Sequence, residues 1–228
     1  EEAAQIEAHF ATVKELAAFA PKELLEAAHG SSLDALAELR APSLRRKAFV
    51  LAGEIIASAR DGKLGGDAND PNVQAVSALA HALDLEGDQL FLAQVVRTVM
   101  AKYAKVAGAT PDAIMSGMIL AAAADGHVDD QEKAVLAALA RTVPELAASD
   151  VPAVVARVES KVAADAEKEL AALASAPAKD KCFAAAAEVA LVSGHGPEGT
   201  LLPRLRETLA PDADLAGAAV ATFAAKYA

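Results

Sequence analysis

Residues 47–54, Lys47-Ala48-Phe49-Val50-Leu51-Ala52-Gly53-Glu54, return near the other end of the chain as Lys181-Cys182-Phe183-Ala184-Ala185-Ala186-Ala187-Glu188. The match extends outward on both sides. Leu36 and Leu39 recur as Leu170 and Leu173, and Gly62 recurs as Gly196, all at the same offset. Further on, Lys-Tyr-Ala closes each copy, at 102–104 and 226–228. Low-complexity alanine can imitate the Ala matches but not Lys, Phe, Glu and Tyr in order. A weaker middle copy starts near Met118 and reaches its turn at Asp125-Gly126. Three times, an apolar segment runs into a Gly-bearing turn and another segment leaves it. A unit with one apolar stripe buries it by stacking on its neighbours.

The apolar spacing within these units is helical. Val95, Val99 and Tyr103, like Leu136, Leu139 and Val143, fall three or four apart, and no alternating run is long enough to be a strand. The pattern predicts an all-α helical bundle built from repeated helix-turn-helix halves. Gly, Pro and Asp punctuation divides it into helices at about 2–19, 22–29, 32–40, 43–60, 71–83, 87–106, 111–124, 130–142, 150–175, 179–193, 198–209 and 213–227. Asp70 before Pro71 and Thr110 before Pro111 read as helix starts, with an oxygen acceptor ahead of a residue whose missing N–H costs nothing in the first turn. Lys105–Thr110 is the best boundary between two lobes. The chain divides into N-terminal helices (1–31), a degenerate half-repeat (32–106) and a two-halved domain (111–228).

Composition fixes the kind of core. The chain has 228 residues, 54% of them hydrophobic, with 61 alanines, no Trp and only 4% aromatics. Such a core favours closely packed helices, since Ala is a good helix former and a poor strand former. The net charge of −11 argues against a nucleic-acid partner, because phosphate contacts need clustered Lys and Arg. No charge-free apolar run approaches the roughly 20 residues that a membrane helix needs, the longest being Ala113–Ala124. A single cysteine, Cys182, excludes an internal disulfide and suits a reducing, cytoplasmic setting. No signal-peptide pattern is visible.

The middle turn, Asp125-Gly126-His127-Val128-Asp129-Asp130-Gln131-Glu132, is the best candidate for chemistry. Carboxylates at 125, 129 and 132 would converge around it, and hard cations such as Ca²⁺ or Mg²⁺ take several such oxygens. The second half of an EF-hand loop fits this stretch, but Ala121 and Ala123 stand where the first two ligands would be. The same residues also read as helix punctuation, with Asp129 and Glu132 forming a capping box and Gly126 turning the chain.

This turn, continued by Lys133-Ala134-Val135-Leu136, resembles the first signature of the tellurite-resistance TerB family, and Leu170-Ala171-Ala172-Leu173, through Phe183 and Glu188, resembles the entry to that family's second half. The resemblance spans about 111–228, with residues 32–106 similar to a further second half. It implies an all-helical fold with pseudo-twofold halves and acidic turns implicated in divalent-metal binding. It also implies links to stress responses and to membrane-associated complexes. The residues carried over as metal ligands are Asp125, Asp129, Asp130 and Glu132, with a divalent cation such as Ca²⁺ as the implied cofactor. Only this turn is intact. The last copy has His195-Gly196, Glu198 and Thr200, and the first follows Asp61-Gly62 with Lys63-Leu64-Gly65-Gly66 before Asp67 and Asp70.

Other residues carry less. His127 and His195 lie in turns and read as solvent-exposed, or as zinc ligands if the halves bring them together. Lys181 beside Cys182 would lower a thiol pKa, whereas the helical run with Phe183 makes Cys182 a small buried hydrophobe. The loop 62–70 reads as a flexible turn. The remaining acids and lysines are expected on solvated helix faces. No nucleophile elbow and no glycine loop after a strand appears. Two functions follow: a non-catalytic helical module that binds a protein partner, or a divalent-metal sensor or buffer built on the Asp125–Glu132 turn.

Overall fold

Residues 2–28, 32–64, 67–122, 129–147, 149–150, 152–153, 156, 163–192 and 201–228 are described by a computed structural model. The helical spacing resolves into α1 (Glu2–Thr12), α2 (Pro21–Ala28), α3 (Pro42–Ser58), α4 (Pro71–Ala82), α5 (Gln89–Tyr103), α6 (Pro111–Ala122), α7 (Asp130–Thr142), α8 (Ala163–Ala171), α9 (Ala176–Val192), α10 (Leu201–Leu209) and α11 (Ala213–Tyr227). Short 3₁₀ turns occupy Leu33–Glu38 and Pro144–Leu146. Among the described residues there is no strand, and no helix is long and apolar enough to cross a membrane.

Local chemistry sets most helix starts. Asp70 Oδ1 accepts from the Asn72 N–H at 2.7 Å ahead of Pro71, and Thr110 Oγ1 accepts from the Ala113 N–H at 3.2 Å ahead of Pro111. Asp129 and Glu132 form a reciprocal capping box at the start of α7. Three expected helices differ. The 2–19 helix stops at Thr12, whose hydroxyl bonds back to the Ala8 carbonyl, and residues 14–19 form turns. The 32–40 segment is a 3₁₀ turn capped by Ser32. In the 150–175 segment, helix ends at Ala171, and α9 starts earlier than expected because Ser175 caps it ahead of Pro177.

The repeat is visible in the packing. Taking 2–104 as the first half and 111–228 as the second, the counterparts are α1 and α7, the 33–38 turn and α8, α3 and α9, α4 and α10, and α5 and α11. Exchanging the halves maps the contacts onto themselves: α3 packs on α5 and on α11, and α9 on α11 and on α5. Helix α1 packs directly on its own counterpart α7, as α5 does on α11. Thr98 and Thr222, the same position in each copy, meet hydroxyl to hydroxyl at 3.3 Å. That contact marks a pseudo-twofold axis. Asp84 and Ala210, both in left-handed conformation, end α4 and α10 alike.

Among the described elements, helix α6 has no counterpart. It packs against α9, α8 and α10, and Gly117 lets its backbone approach closely, since a Cβ there would lie 3.2 Å from the Cys182 carbonyl oxygen. The alanine run of α9 serves this approach: Ala184–Ala187 are fully buried.

Candidate functional site

The axis runs past a cluster of charge. Glu54 of α3, Glu188 of α9, Lys102 of α5 and Lys226 of α11 are each at most 3% exposed. Lys102 Nζ donates to Glu54 Oε1 at 2.5 Å and to Glu188 Oε2. Lys226 Nζ donates to Glu54 Oε2 at 2.6 Å and to Glu188 Oε1 at 2.5 Å. The four side chains close a square in which each ammonium bridges both carboxylates and every carboxylate oxygen accepts an ammonium. Two charges of each sign leave it neutral, the condition under which buried ions are tolerated.

Aromatic residues complete the shell. Tyr103 Oη lies 3.1 Å from Glu54 Oε1 and 2.9 Å from Gln5 Oε1, and the Tyr227 hydroxyl donates to Glu188 Oε1 at 2.9 Å. Lys102 Nζ sits 4.8 Å from the Tyr103 ring centre, and Lys226 Nζ 5.3 Å from that of Tyr227. Burial alone would push the Glu54 and Glu188 carboxyls up, but Lys102 and Lys226 together hold both below the usual carboxylate range. Burial would likewise lower the two ammonium groups, yet Glu188 and Glu54 hold both above the ordinary lysine value. All four are charged at neutral pH.

A second tier repeats the crossover. Lys47 Nζ, from the first half, donates to the Ala228 carbonyl at 2.8 Å and pairs with Glu15 at 2.5 Å. Lys181 Nζ, from the second, donates to the Ala104 carbonyl at 2.5 Å and pairs with Glu145 at 2.6 Å. Each repeated Lys-Tyr-Ala therefore has three roles: the lysine enters the square, the tyrosine hydroxyl reaches its own half's glutamate, and the alanine carbonyl accepts a lysine from the other half.

The symmetry breaks at α1. Thr12-Val13 and Glu15-Leu16 recur 130 positions on as Thr142-Val143 and Glu145-Leu146, which places Gln5 and His9 where α7 has Val135 and Leu139. His9 Nε2 lies 3.0 Å from the Leu51 carbonyl, which can only accept, so this nitrogen carries the proton. His9 Nδ1 is buried without a hydrogen-bond partner, 3.8 Å from Glu54 Oε2. Burial, then Lys226, lower its pKa to about 4 against the opposing pull of Glu54.

Of the residues expected to bind metal, Asp129 and Glu132 bond each other at the start of α7. Asp125, with Gly126 and His127, lies outside the described residues, as do His195, Gly196, Glu198 and Thr200. Asp129 Oδ1 accepts from the Glu132 N–H at 2.7 Å, and Glu132 Oε2 accepts from the Asp129 N–H at 2.8 Å. Asp130 is exposed in the first turn of α7. Among the described residues no group of three or more His, Cys, Asp or Glu side chains is placed to hold a metal ion. Cys182 is fully buried, and burial pushes its thiol up to about 12, overriding the neighbouring Lys181.

The expectation that the other acids and lysines sit on solvated faces fails for Glu54, Glu188, Lys47, Lys102, Lys181 and Lys226, all buried. The signal was their exact place in the repeat: charged residues that recur in register among apolar neighbours mark an inward-facing set. Comparison of the chain with protein-family models, with curated proteins and with solved structures finds no match.

Proposed function

We propose that the chain is a non-catalytic, TerB-like helical module that binds a protein partner. The observation that carries this reading is the closed charge square. The groups best suited to acid–base work, two carboxylates and two ammonium groups with two tyrosines, neutralise one another inside the bundle, where they fix the register of one half against the other. The described surface offers apolar relief instead. Its large exposed hydrophobic residues, Phe19, Leu33, Leu44 and Leu90, all belong to the first half. A cleft of about 390 Å³ beside Leu90 is lined by Arg46, Asp88, Phe91, Gln94 and Ala224. With a net charge of −11, the surface would steer basic partners, an attraction that salt weakens.

Affinity capture with the intact chain, quantified at low and at physiological salt, tests this. One partner recovered at fixed stoichiometry is expected, and recovery of no specific partner overturns the reading. The divalent-cation alternative, on Asp125, Asp129, Asp130 and Glu132, is separated by calorimetry. Absence of binding heat and of any shift in melting temperature with millimolar Ca²⁺, Mg²⁺ or Zn²⁺ is expected, because the capping box already occupies Asp129 and Glu132. Binding heat abolished by Asp130→Asn would favour the cation instead.

A further inference from the structure

We infer that α1 is an acid-released arm: protonation of His9 lifts it off α3 and α7 while the rest of the bundle stays folded. The geometry begins with one nitrogen. His9 Nε2 gives its proton to the Leu51 carbonyl of α3, so Nδ1 of the neutral ring holds a lone pair. That lone pair is buried without a hydrogen-bond partner, 3.8 Å from Glu54 Oε2, itself an acceptor already engaged by Lys226. A second proton on the ring adds a fifth charge beside four that already balance. Docked, that charge is buried among them, whereas water solvates it once α1 leaves. The charged groups acting on His9 are Glu54 of α3, Lys226 of α11 and Lys102 of α5, two cations against one anion. Beside them, the Tyr103 hydroxyl of α5 meets Gln5, and Lys47 of α3 pairs with Glu15. On α7, Asp129 and Glu132 close the capping box, Lys133 is half-buried, and Asp130 and Arg141 are exposed. Lys22, Glu23 and Glu26 of α2 are exposed, as are Glu2 and Glu7 of α1 itself.

Helix α1 is also the more weakly held copy. Where α7 buries Val135, Leu136 and Leu139, α1 has Gln5, Ile6 and His9, and Ile6 is only half-buried. Two polar side chains thus replace an aliphatic pair that anchors α7. The square does not need them. Its four side chains come from α3, α5, α9 and α11, and with Gln5 gone the Tyr103 hydroxyl donates to Glu54 as Tyr227 does to Glu188. Release therefore uncovers the face of α7 on which α1 packs and the Glu54 edge of the square, and leaves the four charges balanced. Burial, then Lys226, lower the pKa of the docked ring to about 4, against about 6.5 for a solvated one. The docked value is the lower, so acid favours release. The released population rises by about twentyfold between pH 7 and pH 5.

Hydrogen exchange of the full chain, read by mass spectrometry at pH 7 and pH 5 and corrected for the intrinsic rate, tests this. Amides of α1 are expected to exchange through an opening of their own, less protected than the slow amides of α5 and α9. Their protection should fall by about twentyfold at pH 5. In His9→Leu, and in His9→Gln should the first lose its fold by circular dichroism, α1 protection is expected to stay level between the two pH values. Amides of α1 as protected as those of α5 and α9 at both pH values would mean that the helix opens only with the whole bundle, and would overturn the inference. So would wild-type α1 protection that does not change with pH, or an undiminished loss in a folded variant without the imidazole.

Discussion

At the scale of single residues, the charge square makes strong demands. Lys102→Met leaves two buried carboxylates sharing one ammonium, and the expected cost is about 3–5 kcal/mol, the range for breaking a buried pair. Glu54→Gln alone is costly for the mirror-image reason. The double variant Glu54→Gln/Lys102→Met, however, leaves Glu188 and Lys226 as a neutral pair, so urea unfolding should show it losing clearly less than the sum of the singles. Strict additivity would mean that the four groups do not act as a unit. His9 titrates separately. Its pKa is lower in the fold than in the unfolded chain, so folding favours the neutral ring. Its contribution is complete above about pH 6.5 and is lost as pH falls toward about 4, where the unfolded chain holds a proton that the folded one does not. The loss is on the order of 3 kcal/mol. His9→Leu, which installs the residue found at the corresponding position of α7, should abolish this slope in urea midpoints between pH 7 and pH 4.5. The square itself weakens at the acid end as pH falls from the usual carboxylate range toward the lowered folded values, and at the alkaline end as pH rises from the ordinary lysine value toward the raised ones.

At the scale of elements, much was legible because it is written in local chemistry. Asp70-Pro71, Thr110-Pro111 and the Asp129/Glu132 pair act within three residues of themselves, so sequence alone placed the starts of α4, α6 and α7. The end of α1 was not legible. Val13 and Leu16 continue the helical spacing with no Gly or Pro to stop it, and the break at Thr12 places Val13, 2% exposed, in the core. Two glycines show opposite meanings of one residue type. Gly62 follows α3 with φ near +74°, donates its N–H to the Ala57 carbonyl at 2.9 Å, and a Cβ there would fall 2.4 Å from the Ala104 amide nitrogen. Gly62→Ala should therefore cost at least about 2 kcal/mol, combining a left-handed backbone with a clash against the end of α5. Gly217 lies within α11 with open space where its Cβ would be, so Gly217→Ala should stabilise by about 0.5–1 kcal/mol. Paired urea titrations read both signs.

At the scale of the molecule, the two halves cannot be satisfied apart. Each supplies one glutamate and one lysine to the square, and each sends a lysine to a backbone carbonyl of the other, Lys47 to Ala228 and Lys181 to Ala104. Sequence spacing showed these residues recurring but not converging, because the meeting depends on four helices crossing one axis. The carboxylate of Glu54 and the ammonium of Lys226 are 172 positions apart in the chain and 2.6 Å apart in the fold. An account of charge that looks only at neighbours in sequence assigns such residues to solvent. The convergence has a measurable consequence for cooperativity. If the square joins the halves into one unit, Glu54→Gln, a change within α3, should lower the exchange stability of slow amides in α9 and α11 by as much as in α3 and α5, about 3 kcal/mol in each. Native-state hydrogen exchange resolves the four helices separately. A loss confined to α3 and α5 would mean that the second half is stable without its partner's carboxylate, and the pseudo-twofold core would then be two adjoining cores.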